Sequence, residues 1–147
     1  MSGLRDPGSG LLTEDYFEVA VPERVAIARR ALRPVSVVLL RAEGELSAVE
    51  RAEIVRSCLR DSDTACQLRD DTIGLILEET PEDGAVWTTE RLRRDLEATG
   101  RGVRVWAGVA TYPAHTLEAV ELLRSAVSAL AEATAWPGSR IEVARQR

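Results

Sequence analysis

The sequence has no lysine: its nineteen basic residues are all arginine, against twenty-four Asp and Glu, for a formal net charge of −5. An acidic chain without a basic run is repelled by phosphate backbones, which argues against non-specific nucleic-acid binding. Cysteine is scarce too. Cys58 and Cys66 are too few for a disulfide framework, and no CxxC or Cys/His cluster has zinc spacing. No apolar run approaches the ~18 residues of a membrane-spanning helix, and the opening MSGLRDPGSG has no apolar signal region. P-loop, GxGxxG, HExxH and GxSxG patterns are all missing. These absences describe a reduced, cytoplasmic chain with no cofactor, no resident metal, no membrane and no nucleic-acid partner. Arginine in place of lysine, with abundant alanine, is the composition of a GC-rich bacterial genome. What remains is 147 residues, 45% hydrophobic and 29% charged. That suits one domain burying about two-thirds of its unfolded surface, and excludes collagenous, disordered and coiled-coil chains.

Residues 1–12, rich in Gly, Ser, Asp and Pro, read as an extended lead-in to a domain over 13–147. Thr13 suits the N-cap of a helix to Ala31, with Phe17, Val21, Val25 and Ala28 near helical spacing and Pro22 expected to kink or break it. The run Val35–Leu40 predicts a strand buried on both faces. Ser47 caps a helix to Leu59, with Val49, Ile54, Val55 and Leu59 inward. Thr64–Leu68 and Thr72–Leu77 form a hairpin around Arg69–Asp71. Pro81 opens a helix to Thr99, ended by Gly100 and Gly102. Val103–Thr111 is a strand, Thr116 caps a helix to Ala135, and Ile141–Ala144 is a last strand. The order predicts an α/β sandwich, a ferredoxin-related mixed sheet of about five strands with helices packed on its faces.

Candidate chemistry is sparse. His115, in a strand-to-helix loop, has no nucleophile beside it and reads as a solvated residue. Glu43, after the first buried strand, with Asp70 and Asp71 at the hairpin turn, has the hard oxygens of a magnesium site. The plainer reading is a hairpin turn that favours Asp.

Over Asp6 to Val143 the chain resembles a GGDEF domain, the diguanylate cyclase family that makes cyclic di-GMP from two GTP. DPGSGLLTEDYF is similar to the family's DxLTGLxNRxxF opening, VVLLRAEG to its LLLLDIDxFK strand, and VWAGVATYP to its VSIGVATYP strand. The helix LEAVELLRSAVSAL follows where the family has one, and RDSDTACQLRDDTIGLILEET resembles the RxxD–GGDEF segment. The resemblance implies the family's nucleotidyl-cyclase-like fold. It also places the departures on the active site. The signature is Arg69-Asp70-Asp71-Thr72-Ile73, with Arg69 and Asp70 where the glycines let substrate approach the backbone. Thr72 replaces the fourth, acidic residue, and Arg41 stands at the metal-binding aspartate. Arg41–Arg60 is too short for the guanine-binding Asn and Asp, and the triphosphate-neutralising Lys and Arg correspond to Thr134 and Gly138. Lost metal ligands and lost charge neutralisation predict a degenerate, catalytically inactive domain with no GTP-cyclising activity. Arg41, on this view, pairs with Asp71 or Glu43 in place of the metal.

The resemblance retains one site. Arg60-Asp61-Ser62-Asp63 is an RxxD five residues before the signature, the spacing of the family's product-binding site, and Arg91 matches the further arginine from the next helix. An arginine fork donates to guanine O6 and N7, and a carboxylate accepts from guanine N1–H and N2–H₂. Three functions follow in order of preference: a cyclic di-GMP receptor through Arg60, Asp63 and Arg91 that signals to a protein partner; a ligand-free interaction or self-association module; and a diverged enzyme using Glu43 and Asp71. In the ligand-free case Arg60 is tied to Asp63 or Asp61.

Overall fold

The computed structural model describes residues 4–145. Ten elements follow in the order β1 (Leu12–Thr13), α1 (Glu14–Ala31), β2 (Val35–Glu43), α2 (Ala48–Ser57), β3 (Thr64–Gln67), β4 (Thr72–Glu78), α3 (Glu82–Glu97), β5 (Arg104–Tyr112), α4 (Ala119–Thr134) and β6 (Arg140–Val143). One mixed sheet runs β1-β3-β4-β2-β5-β6. The outer pairs β1/β3 and β5/β6 are parallel; the inner pairs are antiparallel. The sheet has six strands rather than about five, because Leu12 and Thr13 pair with Cys66 and Gln67.

Period-two alternation along β2 assigns its side chains to two cores. Val37 and Leu39 join Phe17, Val21 and Val25 of α1 and Leu122 and Ala126 of α4 on one face. Val38 and Leu40 join Ala52 and Val55 of α2 and Ala85, Leu92 and Leu96 of α3 on the other. Both faces being covered explains why VSVVLL is apolar throughout.

Local signals behave mostly as their chemistry dictates. The Thr13 side chain accepts the Tyr16 N–H, and Ser47 with Glu50 forms a capping box at α2. Three expectations need correction. Pro22 does not break α1, which continues through it because its buried face, Phe17 to Ala28, lies on both sides of the proline and packing holds it. Helix α4 starts at Ala119, not after Thr116, whose Oγ1 instead accepts the Glu118 N–H. Val49 is exposed, and Arg51 is buried with Ala52 and Val55 on the inner face of α2.

Candidate functional site

The α2–β3 connection is a tight turn built by the RxxD itself. The Asp63 carboxylate accepts the Arg60 backbone N–H at 3.0 Å, and the Asp63 N–H donates to the Arg60 carbonyl at 3.0 Å. The Arg60 guanidinium folds back over the same carboxylate, Nη2 to Oδ1 3.4 Å, leaving the Asp63 side chain 4% exposed and its own 59% exposed. Its Nη2 also donates to the Glu78 carbonyl at 2.6 Å and the Thr80 hydroxyl at 2.7 Å. Arg60 and Asp63 therefore meet, and they line a cavity of about 550 Å³ with Arg5, Arg56, Leu59 and Asp61. Arg91 does not line it. Its guanidinium lies 6.0 Å from the Trp87 ring centroid on α3. The Cys58 thiol is pushed up, by burial first and then by its hydrogen bond to Asp95, with the Arg91 charge opposing.

The stretch Arg69–Ile73 carries the hairpin turn between β3 and β4. Asp70 and Asp71 carry left-handed φ of 59° and 54°, and the Thr72 N–H closes on the Arg69 carbonyl at 3.3 Å. Asp is one of the few residues besides glycine that adopts this conformation as a single residue, so it serves in the turn. Arg69 points away from the turn toward α1. Its Nε and Nη2 donate to Glu14 Oε2 at 2.9 and 2.8 Å, and its backbone N–H donates to Oε1. These bonds hold the Glu14 carboxyl below its ordinary range. Thr72 pairs with Arg41 across β2/β4, and Ile73 is buried in the core.

The acids around this turn do not converge. Arg41 reaches Glu43 loosely, at 3.9 Å, and does not reach Asp71. Asp71 instead lies 4.0 Å from Arg51, whose side chain is 10% exposed and whose Nη1 donates to the Ala42 carbonyl at 3.2 Å. Its buried Nε has no partner. Among the described residues no three His, Cys, Asp or Glu side chains gather to hold a metal. Glu43 and Asp71 each have an arginine within 4.0 Å, Arg41 and Arg51, and this donor set does not fit a divalent cation. Arg41 and Glu43 line a separate cavity of about 380 Å³ with Arg104, Trp106, Trp136 and Thr134. Gly138 lies in the turn between α4 and β6, with open space where a Cβ would stand.

His115 is not solvated. It is buried, its Nδ1 accepts the Thr111 N–H at 2.9 Å, and its Nε2 lies 2.6 Å from Glu82 Oε1. The tight turn Tyr112–Thr116 folds it under the sheet end, with the His115 N–H on the Thr111 carbonyl. Sequence reasoning also missed Arg51, Arg5 and Arg56. Arg56 had a signal, a further arginine four residues before Arg60. Arg5 had none, because only the folding back of the lead-in brings it to the cavity.

Among comparisons with known proteins, a family model described as "Diguanylate cyclase, GGDEF domain" matches residues 4–139. No curated protein sequence matches the chain. Solved structures with similar folds include the GGDEF domain of YfiN (TpbB) from Pseudomonas aeruginosa, at 18% identity and TM-score 0.86, covering 96% of this chain and 94% of that one. A microbial GGDEF domain described in a novel interaction mode with cyclic di-GMP has 23% identity and TM-score 0.83, covering 95% of this chain and 96% of that one. The coiled coil and GGDEF domain of DgcB from Caulobacter crescentus, in complex with cyclic di-GMP, has 14% identity and TM-score 0.82, covering 96% and 85%. Among the described residues no helix is long and apolar enough to cross a membrane.

The family match corrects the expectation that the chain is not an enzyme, because the family it matches is one of cyclases. The expectation rested on lost metal ligands and lost charge neutralisation, at Arg41, Thr72, Thr134 and Gly138, and on Arg69 and Asp70 crowding the approach to the signature backbone. The turn keeps a left-handed course at Asp70 and Asp71, Arg69 is drawn off onto Glu14, and the Asp71 side chain is 84% exposed. Crowding by Arg69 therefore does not carry the expectation.

Proposed function

Because the chain belongs to the GGDEF family of diguanylate cyclase domains, we propose that it binds cyclic di-GMP at the Arg60–Asp63 turn and relays occupancy to a protein partner. The observation that supports this reading most is the pairing of Arg60 with Asp63 beside a cavity of about 550 Å³. A guanidinium and a carboxylate side by side are the complement of guanine's Hoogsteen acceptors and its N1–H and N2–H₂ donors. Arg60, 59% exposed, swings outward to meet the base. In doing so it exchanges bonds to the Glu78 carbonyl and Thr80 hydroxyl for bonds to the base and uncovers the Asp63 carboxylate. Arg91 joins the site only by leaving the Trp87 ring.

Calorimetric titration of the full chain with cyclic di-GMP tests the reading. Each bidentate contact to a base is worth about 1–3 kcal/mol, so Arg60→Ala is expected to weaken binding roughly tenfold or more. Asp63→Asn keeps an acceptor for the Arg60 N–H, preserves the turn, and is expected to weaken binding similarly. Cyclic di-AMP binds worse, because adenine presents an amino donor where the arginine meets an acceptor. A second reading has its own support. Arg60 is already satisfied by three partners, which suits a ligand-free interaction or self-association module. Flat titrations of folded, monodisperse protein at high micromolar dinucleotide favour that reading and end the first.

A further inference from the structure

The cavity beside the turn has two more cations on its lining, Arg5 and Arg56. Arg5 precedes β1, and Arg56 lies near the end of α2, four residues before Arg60 in the turn that follows. Both donate from Nη1 to the same acceptor, the Gly10 carbonyl, at 3.1 and 3.3 Å. Among the described residues neither forms an ion pair with a carboxylate. A neutral carbonyl satisfies N–H groups but leaves two converging positive charges uncompensated. Gly10 makes the convergence possible: its φ of +81° suits glycine and turns its carbonyl to both forks.

The lining carries Arg5, Arg56 and Arg60 against Asp61 and Asp63, an excess of one positive charge. Asp63 is spoken for by Arg60 and nearly covered. Two guanidinium forks sharing one oxygen are already spaced to share another, and the group that accepts from both while cancelling their charge is a phosphoryl oxyanion. We propose that Arg5 and Arg56 form an oxyanion cradle for one phosphodiester of the dinucleotide whose guanine meets Arg60 and Asp63. This rests on the reading of the Arg60–Asp63 turn given above.

The cradle ties the ligand to the start of the chain. The segment carrying Arg5 is doubled back, with Thr13 N–H on the Leu4 carbonyl and Asp6 N–H on the Leu11 carbonyl, and docks on β3 through β1. A phosphate bridging Arg5 to Arg56 clamps this segment onto α2, so occupancy strengthens the docking of the segment itself.

The test is calorimetric titration of the full chain with cyclic di-GMP at low and high salt, using wild type, Arg5→Gln, Arg56→Gln and Arg60→Ala. Glutamine keeps a polar N–H donor while removing the charge, and thermal unfolding verifies that each variant is folded. Each glutamine variant is expected to bind about tenfold more weakly with a flatter salt dependence, and Arg5→Lys or Arg56→Lys to recover most of the loss. Guanosine, which has no phosphate, is the comparison probe, and its weaker binding should be indifferent to both glutamine substitutions. If wild type binds, Arg60→Ala weakens it and both glutamine variants match wild type at both salts, the cradle is wrong and the turn reading stands. Equal weakening toward guanosine and cyclic di-GMP also removes the cradle, since the effect is then one of shape. No binding by wild type removes both.

Discussion

Arg69 and His115 are single residues whose partners, more than their types, decide what they do. Arg69 clamps the hairpin turn to the start of α1 through Glu14, whose carboxyl it holds below the ordinary range, first by its side-chain and then by its backbone hydrogen bond. A depressed folded value means the pair's contribution is complete above the unfolded carboxylate pKa of about 4.3 and is lost as pH falls through the lower folded value. Arg69→Ala is therefore expected to lower the denaturation midpoint at pH 7, with the difference shrinking to nothing in acid. A gap that persists below the folded value assigns the effect to packing instead. His115 carries a different load. Thr111 donates its N–H to Nδ1, so the ring proton sits on Nε2 and points at Glu82. His115→Ala strands a buried backbone donor and is expected to cost about 1–3 kcal/mol by urea denaturation.

Between elements, the closest constraint is where α4 crosses β5. A Cβ at Gly108 would overlap the backbone of α4 at Leu130 N and Ala126 O, so this strand accepts the helix only because it carries no side chain there. Gly108→Ala must push α4 away from the sheet or bend β5, and overpacking of this kind costs about 1–3 kcal/mol or more. Gly138→Ala is the control, since a Cβ there meets nothing within 4 Å, and it should stay within about 0.5 kcal/mol of wild type. Thermal unfolding of both variants measures the difference. A Gly108→Ala protein as stable as the Gly138→Ala protein means the helix has slack that this geometry denies it.

For the molecule as a whole, ligand and fold are linked by mass action. A dinucleotide that binds only the native state at one hundred times its Kd adds about 2.7 kcal/mol, which raises Tm by roughly 5–10 °C in a domain of this size. Cyclic di-GMP is expected to produce that shift in wild type and little of it in Arg60→Ala. A shift of equal size in both proteins places the ligand elsewhere on the molecule.

Periodicity and capping chemistry were enough to find nearly all the strands and helices. VSVVLL, the Ser47–Glu50 box and the polar turn at Arg69–Asp71 are local signals, written within a few residues of the structure they produce. The Arg60–Asp63 pair was legible for the same reason, because three residues of separation in a tight turn bring both side chains to one place. Everything that depended on distant partners was not. Whether Pro22 breaks α1 depends on a face packed against the sheet, and whether His115 is wet depends on Glu82, thirty-three residues away. Arg51 is buried only because the Ala42 carbonyl and Asp71 close around it. Arg5 reached the cavity only because the lead-in turned back to pair with β3. Sequence alone settles what the backbone does within a turn or two, since those energies are local. Which charge meets which, and what is kept from water, is settled by contacts that exist only once the chain has closed on itself.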